Sequence, residues 1–408
     1  MTVEELRSQF PILSSQVNGR PLVYLDNAAT SQRPASVVEC WDGMALRTNA
    51  NLHRAVHALA VRATDRYEQT REFIRHYLNA ASHEEIIFTS GTTMGINLVA
   101  HSFGDAFLQE GDEILIAECE HHSDIVPWQL LSERKNLKIK VLPVRDDGTL
   151  DVGALGELLT PRTKIACVAQ ISNVLGIVNP VEEIIRICHE KGCAVLVDGA
   201  QGIVHGRVDV RAMDCDFYVF SGHKVFAATG TGVLYGKKEL LELMPPFFGG
   251  GEMIETVRFS GTTFAPLPGK FEAGTQDFCG APTLLPALTL AGEIFADAEL
   301  RRSGEAVKAY LLDVLRRNPR VRLFGDPADP AVKVPLFSFC VEGAHHEDLA
   351  LILDKMGVAV RSGQMCAEPL MDRFGVTGML RASFAPYNTL QEAEVFAASL
   401  EKAINMLI

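Results

Sequence analysis

The chain has 408 residues, too many for one ordinary hydrophobic core, so its length calls for two domains. Hydrophobic residues make up 47% and charged residues 22%, the balance of a soluble globular protein, which excludes long disordered stretches. A formal net charge of −13 argues against nucleic acid as a partner, because a phosphate backbone calls for a surplus of Lys and Arg.

No window reaches the roughly 18 apolar residues of a membrane helix. The first residues, with Glu4, Glu5 and Arg7, carry no secretory apolar run. Nine Cys residues without a C-x-x-C pair fit a reduced, cytoplasmic compartment.

Along the chain, short β-branched apolar runs alternate with helical patterns. Strands are expected at 85–88, 113–117, 138–144, 164–170, 194–197, 216–220 and 232–235, with helices at 92–106 and 181–191. Strands apolar on both faces and separated by helices indicate an α/β layer with a mostly parallel sheet. Ligands of such sheets bind beyond the carboxyl ends of the strands. Residues 247–270 are rich in Gly, Thr and Pro and read as a long surface excursion, followed by a helical pattern from 281 to about 317. A smaller α+β unit then follows: strand 336–341, helix 346–356, strands 358–360 and 380–384, and a closing helix from 390. The expected division is a large domain at 22–290 and a small one made of 1–21 plus 291–408.

Chemistry enters at two strand ends. Ala194-Val195-Leu196-Val197-Asp198 delivers a carboxylate to the mouth of the sheet, and alone Asp198 reads equally well as a turn cap. The next strand ends in Ser221-Gly222-His223-Lys224, and an isolated Lys there would ordinarily snorkel to the surface. Together they match the needs of a pyridoxal-phosphate site, where a Lys forms a Schiff base and an Asp partners the pyridinium nitrogen. Desolvation favours the neutral amine that imine formation requires. Thr89-Ser90-Gly91-Thr92-Thr93 joins a strand to a helix, which offers N–H groups and hydroxyls to an anion, although a Ser/Thr cap is common anywhere. Neither a G-x-x-x-x-G-K-[ST] loop nor a complete dinucleotide fingerprint is present. The pairs His121/His122 and His345/His346 lack metal-ligand spacing, so no metal is expected.

With these residues in place, the chain resembles the class V, fold type I family of pyridoxal-phosphate enzymes, and within it the group II cysteine desulfurases, which are selenocysteine lyase-like. The matching segments run nearly end to end. They are Tyr24-Leu25-Asp26-Asn27-Ala28-Ala29-Thr30, Asn51-Leu52-His53-Arg54, Ser90-Gly91-Thr92-Thr93, Glu120-His121-His122 and Ser172-Asn173-Val174-Leu175-Gly176. Further on they are Asp198-Gly199-Ala200-Gln201, Ser221-Gly222-His223-Lys224, Phe271-Glu272-Ala273-Gly274-Thr275 and Arg361-Ser362-Gly363-Gln364-Met365-Cys366.

The resemblance implies an aspartate aminotransferase-like fold and conversion of L-cysteine to L-alanine, with L-selenocysteine as an alternative substrate. It implies that His121 stacks on the cofactor ring, that Asn173 and Gln201 lie against its face or phenolic oxygen, and that Thr92, Thr93, Ser221 and His223 hold its phosphate. Thr275 would reach the phosphate of the other subunit, which implies a homodimer with shared sites. Arg381 and Arg361 would bind the substrate carboxylate, with Asn173, Ala28 and His53 nearby. Cys366 would take the sulfur as a persulfide and pass it to an acceptor protein, for iron–sulfur cluster assembly or other sulfur traffic.

The residues themselves speak to two of these roles. Cys366 sits in a polar segment with Arg361 and Gly363, unlike the strand-bound Cys167, Cys193 and Cys340; a loop thiol near cations is the pattern of a nucleophile, and a merely exposed Cys is its equal rival. In Leu380-Arg381-Ala382-Ser383-Phe384, alternation sets Arg381 opposite the apolar face, placed for a carboxylate or a structural ion pair. Three departures from the family pattern stand out: Met365 before the Cys where relatives usually have His, Ala227-Ala228 in place of Gly-Pro, and Gln276-Asp277 after Thr275.

Overall fold

The structure, a computed structural model, describes residues 1–53 and 55–408. Arg54 of the motif at 51–54 lies outside the described residues.

Seven strands form the larger sheet: β1 (Ile86–Thr89), β2 (Glu113–Ala117), β3 (Lys138–Leu142), β4 (Thr163–Ala169), β5 (Ala194–Asp198), β6 (Phe217–Ser221) and β7 (Gly232–Gly236). Their spatial order is β1-β7-β6-β5-β4-β2-β3, with β7 antiparallel to both neighbours and the other pairs parallel. Each expected strand is present, with ends shifted by one or two residues. Strand alternation divides the sheet between two cores. Ile87, Ile114, Cys167, Leu196 and Val219 face one core, while Phe88, Leu115, Val168, Val197 and Phe220 face the other.

Helices cover both faces. The sequence of α1 (Thr92–Phe107) buries Gly95, Ile96, Leu98, Val99 and Phe103. In α2 (Val181–His189) the buried set is Val181, Ile184, Ile185 and Cys188, the i, i+3, i+4, i+7 stripe of an amphipathic helix. No helix among the described residues is long and apolar enough to cross a membrane.

The smaller sheet contains β8 (Val321–Phe324), β9 (Leu336–Val341), β10 (Arg361–Gly363) and β11 (Met379–Ser383), antiparallel in the order β8-β9-β11-β10. Its core joins Phe337, Phe339, Leu380, Ala382 and Phe384 to α3 (Ala298–Arg317), α4 (His346–Lys355) and α5 (Leu390–Leu407). The N-terminal segment serves both cores: Leu6, Phe10 and Leu13 pack with the larger sheet, and Val23 and Leu25 with the smaller.

Three elements differ from expectation. The helical pattern at 281–317 is interrupted at Asp297, whose carboxylate accepts from the N–H groups of Glu299 and Leu300 and so starts α3 afresh. The excursion at 247–270 contains an exposed two-stranded ribbon, Ile254–Arg258 with Gly261–Phe264, whose Thr-rich sequence supplies no apolar period. Val358–Ala359 pairs with Val23–Tyr24 in parallel, while Arg361–Gly363, too short and polar to show alternation, becomes the edge of the smaller sheet.

A buried ion pair fastens the segment 271–275 to the larger unit. Arg71 meets Glu272 with Nη1 at 2.7 Å and Nη2 at 2.9 Å; Glu272 also accepts from Tyr67 Oη and the Phe88 N–H. Both side chains are almost fully enclosed. Glu272→Ala leaves the guanidinium without its main partner, so urea unfolding is expected to show a loss of about 3–5 kcal/mol. A loss below ~1 kcal/mol would mean that water or another carboxylate compensates.

Candidate active site

Beyond the carboxyl ends of β1, β4, β5 and β6 lies a cavity of about 240 Å³. Its lining brings together twelve of the fifteen sequence-predicted residues: Ala28, Thr92, Thr93, His121, Asn173, Asp198, Ser221, His223, Lys224, Arg361, Cys366 and Arg381. Gln201, Thr275 and His53 are not in the lining. Gln201 is buried behind it and donates from Nε2 to the Ala28 carbonyl at 2.9 Å. Thr275 is exposed. His53, also exposed, pairs with Glu68 at 3.1 Å in a separate depression beside Arg71 and Glu272.

Register explains why the key pair meets. Asp198 ends β5 opposite Val219 of β6, and the chain leaving β6 turns at once through Gly222–Lys224. Asp198 accepts the Ala200 N–H at 2.8 Å. Burial pushes its pKa up, and the Lys224 charge opposes that shift. Burial likewise lowers the pKa of Lys224, with Asp198 opposing. The two groups therefore feel each other, yet no salt bridge joins them among the described residues. Opposite charges held apart across a cavity, Asp198 buried and Lys224 half-buried, leave room for a bound group between them.

The anion end is built from Gly91, Thr92 and Ser221. Gly91 has φ +138°, a conformation that favours glycine, and turns the chain from β1 into α1. On the neighbouring strand, a Cβ at Gly232 would lie 2.6 Å from Gly91 Cα, so glycine there permits the close approach. Ser221 Oγ receives the Thr92 N–H at 2.8 Å and lies 2.8 Å from Thr92 Oγ1. Among the described residues no protein acceptor takes the Thr93 N–H, which leaves an open donor at the positive end of a helix.

His121 accepts the Ser123 N–H on Nδ1 at 3.1 Å, so its neutral ring carries the proton on Nε2. Burial, then the positive charge of Lys224, lowers its pKa to about 4. His223, bonded to Thr30 Oγ1 at 3.2 Å, is lowered to about 4 chiefly by burial.

The smaller unit supplies the other wall. Arg381 on the central strand β11 is 2% exposed; its Nη1 donates to the Asn173 carbonyl at 2.7 Å and its Nη2 approaches Asp26 at 3.2 Å. Its Nε has no partner among the described residues. Arg361 also grips Asp26, through Nε at 3.0 Å and Nη2 at 2.9 Å. Asp26, not assigned a role from the sequence, thus carries both cations. Its place two residues beyond the paired Val23–Tyr24, at the end of that short extended run, is the signal that marks it.

Cys366 is the exposed member of the nine free cysteines. It stands close enough to Lys224, Arg361 and Arg381 to bear on the ionisation of each. Gly363, Met365 and Cys366 have φ of +109°, +55° and +56°, so the loop is tightly wound, and two bonds hold it. The His122 N–H donates to the Cys366 carbonyl at 2.7 Å, and Asn173 Nδ2 to the Met365 carbonyl at 2.9 Å. Sequence reading also missed Ser123, which stands beside His121 in the lining.

The profile of the Aminotransferase class-V family matches residues 23–396, and the chain belongs to that family. It is 45% identical over 414 residues to the probable cysteine desulfurase of Vibrio cholerae, covering 100% of both chains. Among solved structures, the cysteine desulfurase CsdA (S-sulfonic acid) from Escherichia coli matches with TM-score 0.91 and 39% identity over 100% of both chains. The apo cysteine desulfurase of Thermococcus onnurineus matches with TM-score 0.92 and 36% identity, over 100% of this chain and 99% of the other.

The depressed pKa of His121 has a sign that can be checked. Between about 6.5, the ordinary value, and about 4, the folded imidazole stays neutral while the unfolded one is protonated. Stability is therefore expected to fall as pH drops through that window. An NMR titration should place the His121 midpoint near 4; a midpoint above 6 would remove the buried, neutral ring.

Proposed function

We propose that this chain is a pyridoxal-phosphate-dependent cysteine desulfurase that converts L-cysteine to L-alanine and takes the sulfur onto Cys366. The observation that carries the reading is the convergence of Asp198, Lys224, Arg381 and Cys366 on one cavity. The named relatives support the same activity.

Pyridoxal phosphate, when bound, supplies an electron sink for the carbon chemistry at the substrate amino group. The side chains fit it. Lys224 is the amine that would attach it, with burial favouring the neutral form, and Asp198 would face the ring nitrogen. Thr92, Thr93, Ser221 and His223, with the open Thr93 N–H, would hold the phosphate. His121 would lie against the ring, with Asn173 beside it. Gln201 acts through the Ala28 backbone at the substrate side.

Substrate binding falls to Arg381. Its unpartnered Nε is a buried donor that calls for an acceptor, and a substrate carboxylate supplies one. Arg361 adds positive charge while Asp26 keeps both guanidinium groups aligned. His53 contributes from a neighbouring surface.

The sulfur step uses the thiolate of Cys366. It attacks the substrate sulfur; the substrate carbon–sulfur bond breaks, its electron pair stays with carbon and is taken up by a proton. The protein is left with a persulfide on Cys366, and the carbon product is alanine. Exposure of Cys366 lets an acceptor protein collect the sulfur.

A homodimer with shared sites, in which Thr275 serves the partner's phosphate, is part of the proposal and is supported by the exposure of Thr275. So are a large domain at 22–290, a small one made of 1–21 plus 291–408, a cytoplasmic setting, and delivery of the sulfur to iron–sulfur cluster assembly or related traffic.

Lys224→Ala is expected to abolish the visible absorbance of the cofactor-loaded protein. A wild type that stays colourless after reconstitution would sink the reading. Cys366→Ser should keep that absorbance and lose sulfide and persulfide production from cysteine; undiminished turnover would move the assignment to another reaction of the family. Arg381→Ala should raise KM for cysteine at least tenfold with little change in the cofactor spectrum, and an unchanged KM would remove the carboxylate role.

A further inference from the structure

The turn that carries His121 is bounded by two carboxyl groups that the proposed chemistry leaves unused. Glu120 and Asp124 are both 0% exposed. One oxygen of each is accounted for: Glu120 Oε1 accepts the Ala169 N–H at 2.7 Å, and Asp124 Oδ1 accepts Trp128 Nε1–H at 2.8 Å. Glu120 Oε2 and Asp124 Oδ2 have no donor among the described residues. The two carboxyl groups lie on one turn, close enough for each to act on the other's ionisation. Two ionised carboxylates cannot satisfy these oxygens for each other, because neither has a proton to give. One proton between them satisfies both orphaned oxygens and removes one buried charge.

We propose that Glu120 and Asp124 share a single proton, and that this singly charged pair leaves Asp198 as the ionised carboxylate facing the cofactor. The surroundings explain where the proton rests. Asp198 comes from β5, opposite Ala169, whose N–H holds Glu120. Cys167 from β4 and Cys119 beside Glu120 are thiols whose pKa values burial and these carboxylates push up. These neighbours of the pair are acidic or neutral, whereas Asp198 has Lys224. Burial and the Asp198 charge both hold the proton on the pair. Three buried carboxyl groups thus carry two charges, one of them on Asp198, the group that Lys224 favours in its charged form.

The inference rests on the proposed cofactor reading for the role of Asp198, but its test does not require turnover. Glu120→Gln or Asp124→Asn alone replaces the shared O–H by an amide N–H and keeps one negative charge. The double variant sets two amide donors against each other, because Oε1 and Oδ1 are already engaged, and removes the charge behind Asp198. In urea unfolding of the full-length, cofactor-loaded protein at pH 7, each single variant is expected to have a midpoint no lower than wild type, and the double variant a clearly lower one. The wild type holds one proton more folded than unfolded above the ordinary carboxyl pKa of about 4.3. Its folding constant should therefore fall, relative to either single variant, by up to about tenfold per pH unit as pH rises.

Parallel pH profiles for wild type and single variants would overturn the shared proton. So would single variants as unstable as the double. The pH midpoint of the bound cofactor's absorbance should be unchanged in the single variants and displaced in the double; an undisplaced midpoint in a folded double variant overturns the link to Asp198. If the double does not fold, the single-variant pH profiles still decide. Absence of the absorbance in all four proteins would count against the cofactor reading, and unfolding would still decide the shared proton.

Discussion

Everything in the cavity depends on Asp198, buried, and Lys224, half-buried, standing at the ends of adjacent parallel strands without a salt bridge between them. In water the two would be solvated and would attract each other only weakly. Within the protein, burial penalises each charge while the other partly restores it. A direct salt bridge would satisfy both and leave nothing for a ligand. Held apart, they make a site whose electrostatics are completed from outside. The sheet enforces the gap, because Asp198 belongs to β5 itself and Lys224 to the turn that follows β6.

The smaller unit is bound to this site by hydrogen bonds to backbone carbonyls. Three successive carbonyl groups of the loop 172–176 each accept from a different side chain of that unit. Arg381 Nη1 donates to Asn173, Ser338 Oγ to Val174 and Lys333 Nζ to Leu175, at 2.7, 2.5 and 2.7 Å. Lys333 is 2% exposed, and burial lowers its pKa to about 7. The same loop holds the Cys366 segment through Asn173. Arg381, the Cys366 loop and the cavity wall at Asn173 therefore share one connection. That connection is well suited to chemistry between groups that must be held at fixed separations.

Much of this was legible before any coordinates. Strand positions were, because fully buried parallel strands are continuous apolar runs. Asp198 and Lys224 were visible as polar residues at the ends of such runs, and Arg381 as the polar member of an alternating strand. Asp26 was not assigned, since its importance lies in two arginines more than 330 residues away, Arg361 and Arg381. Glu120 stood only as part of a matching segment and Asp124 was not singled out; the depth of their burial is what gives them meaning. The break at Asp297 escaped notice because the helical period runs on through it, and the ribbon at 254–264 because both of its faces meet solvent.

The sequence by itself determined the α/β architecture and the chemical types available to the site, because periodicity and residue identity are local properties. Tertiary structure alone decided which of those residues meet. It turned twelve side chains into one cavity and left Gln201, His53 and Thr275 outside its lining. It also paired the two cations with Asp26 and left one buried guanidinium nitrogen, Arg381 Nε, without a partner among the described residues. The physical reason is that proximity between distant segments, and the desolvation that comes with it, are set by packing.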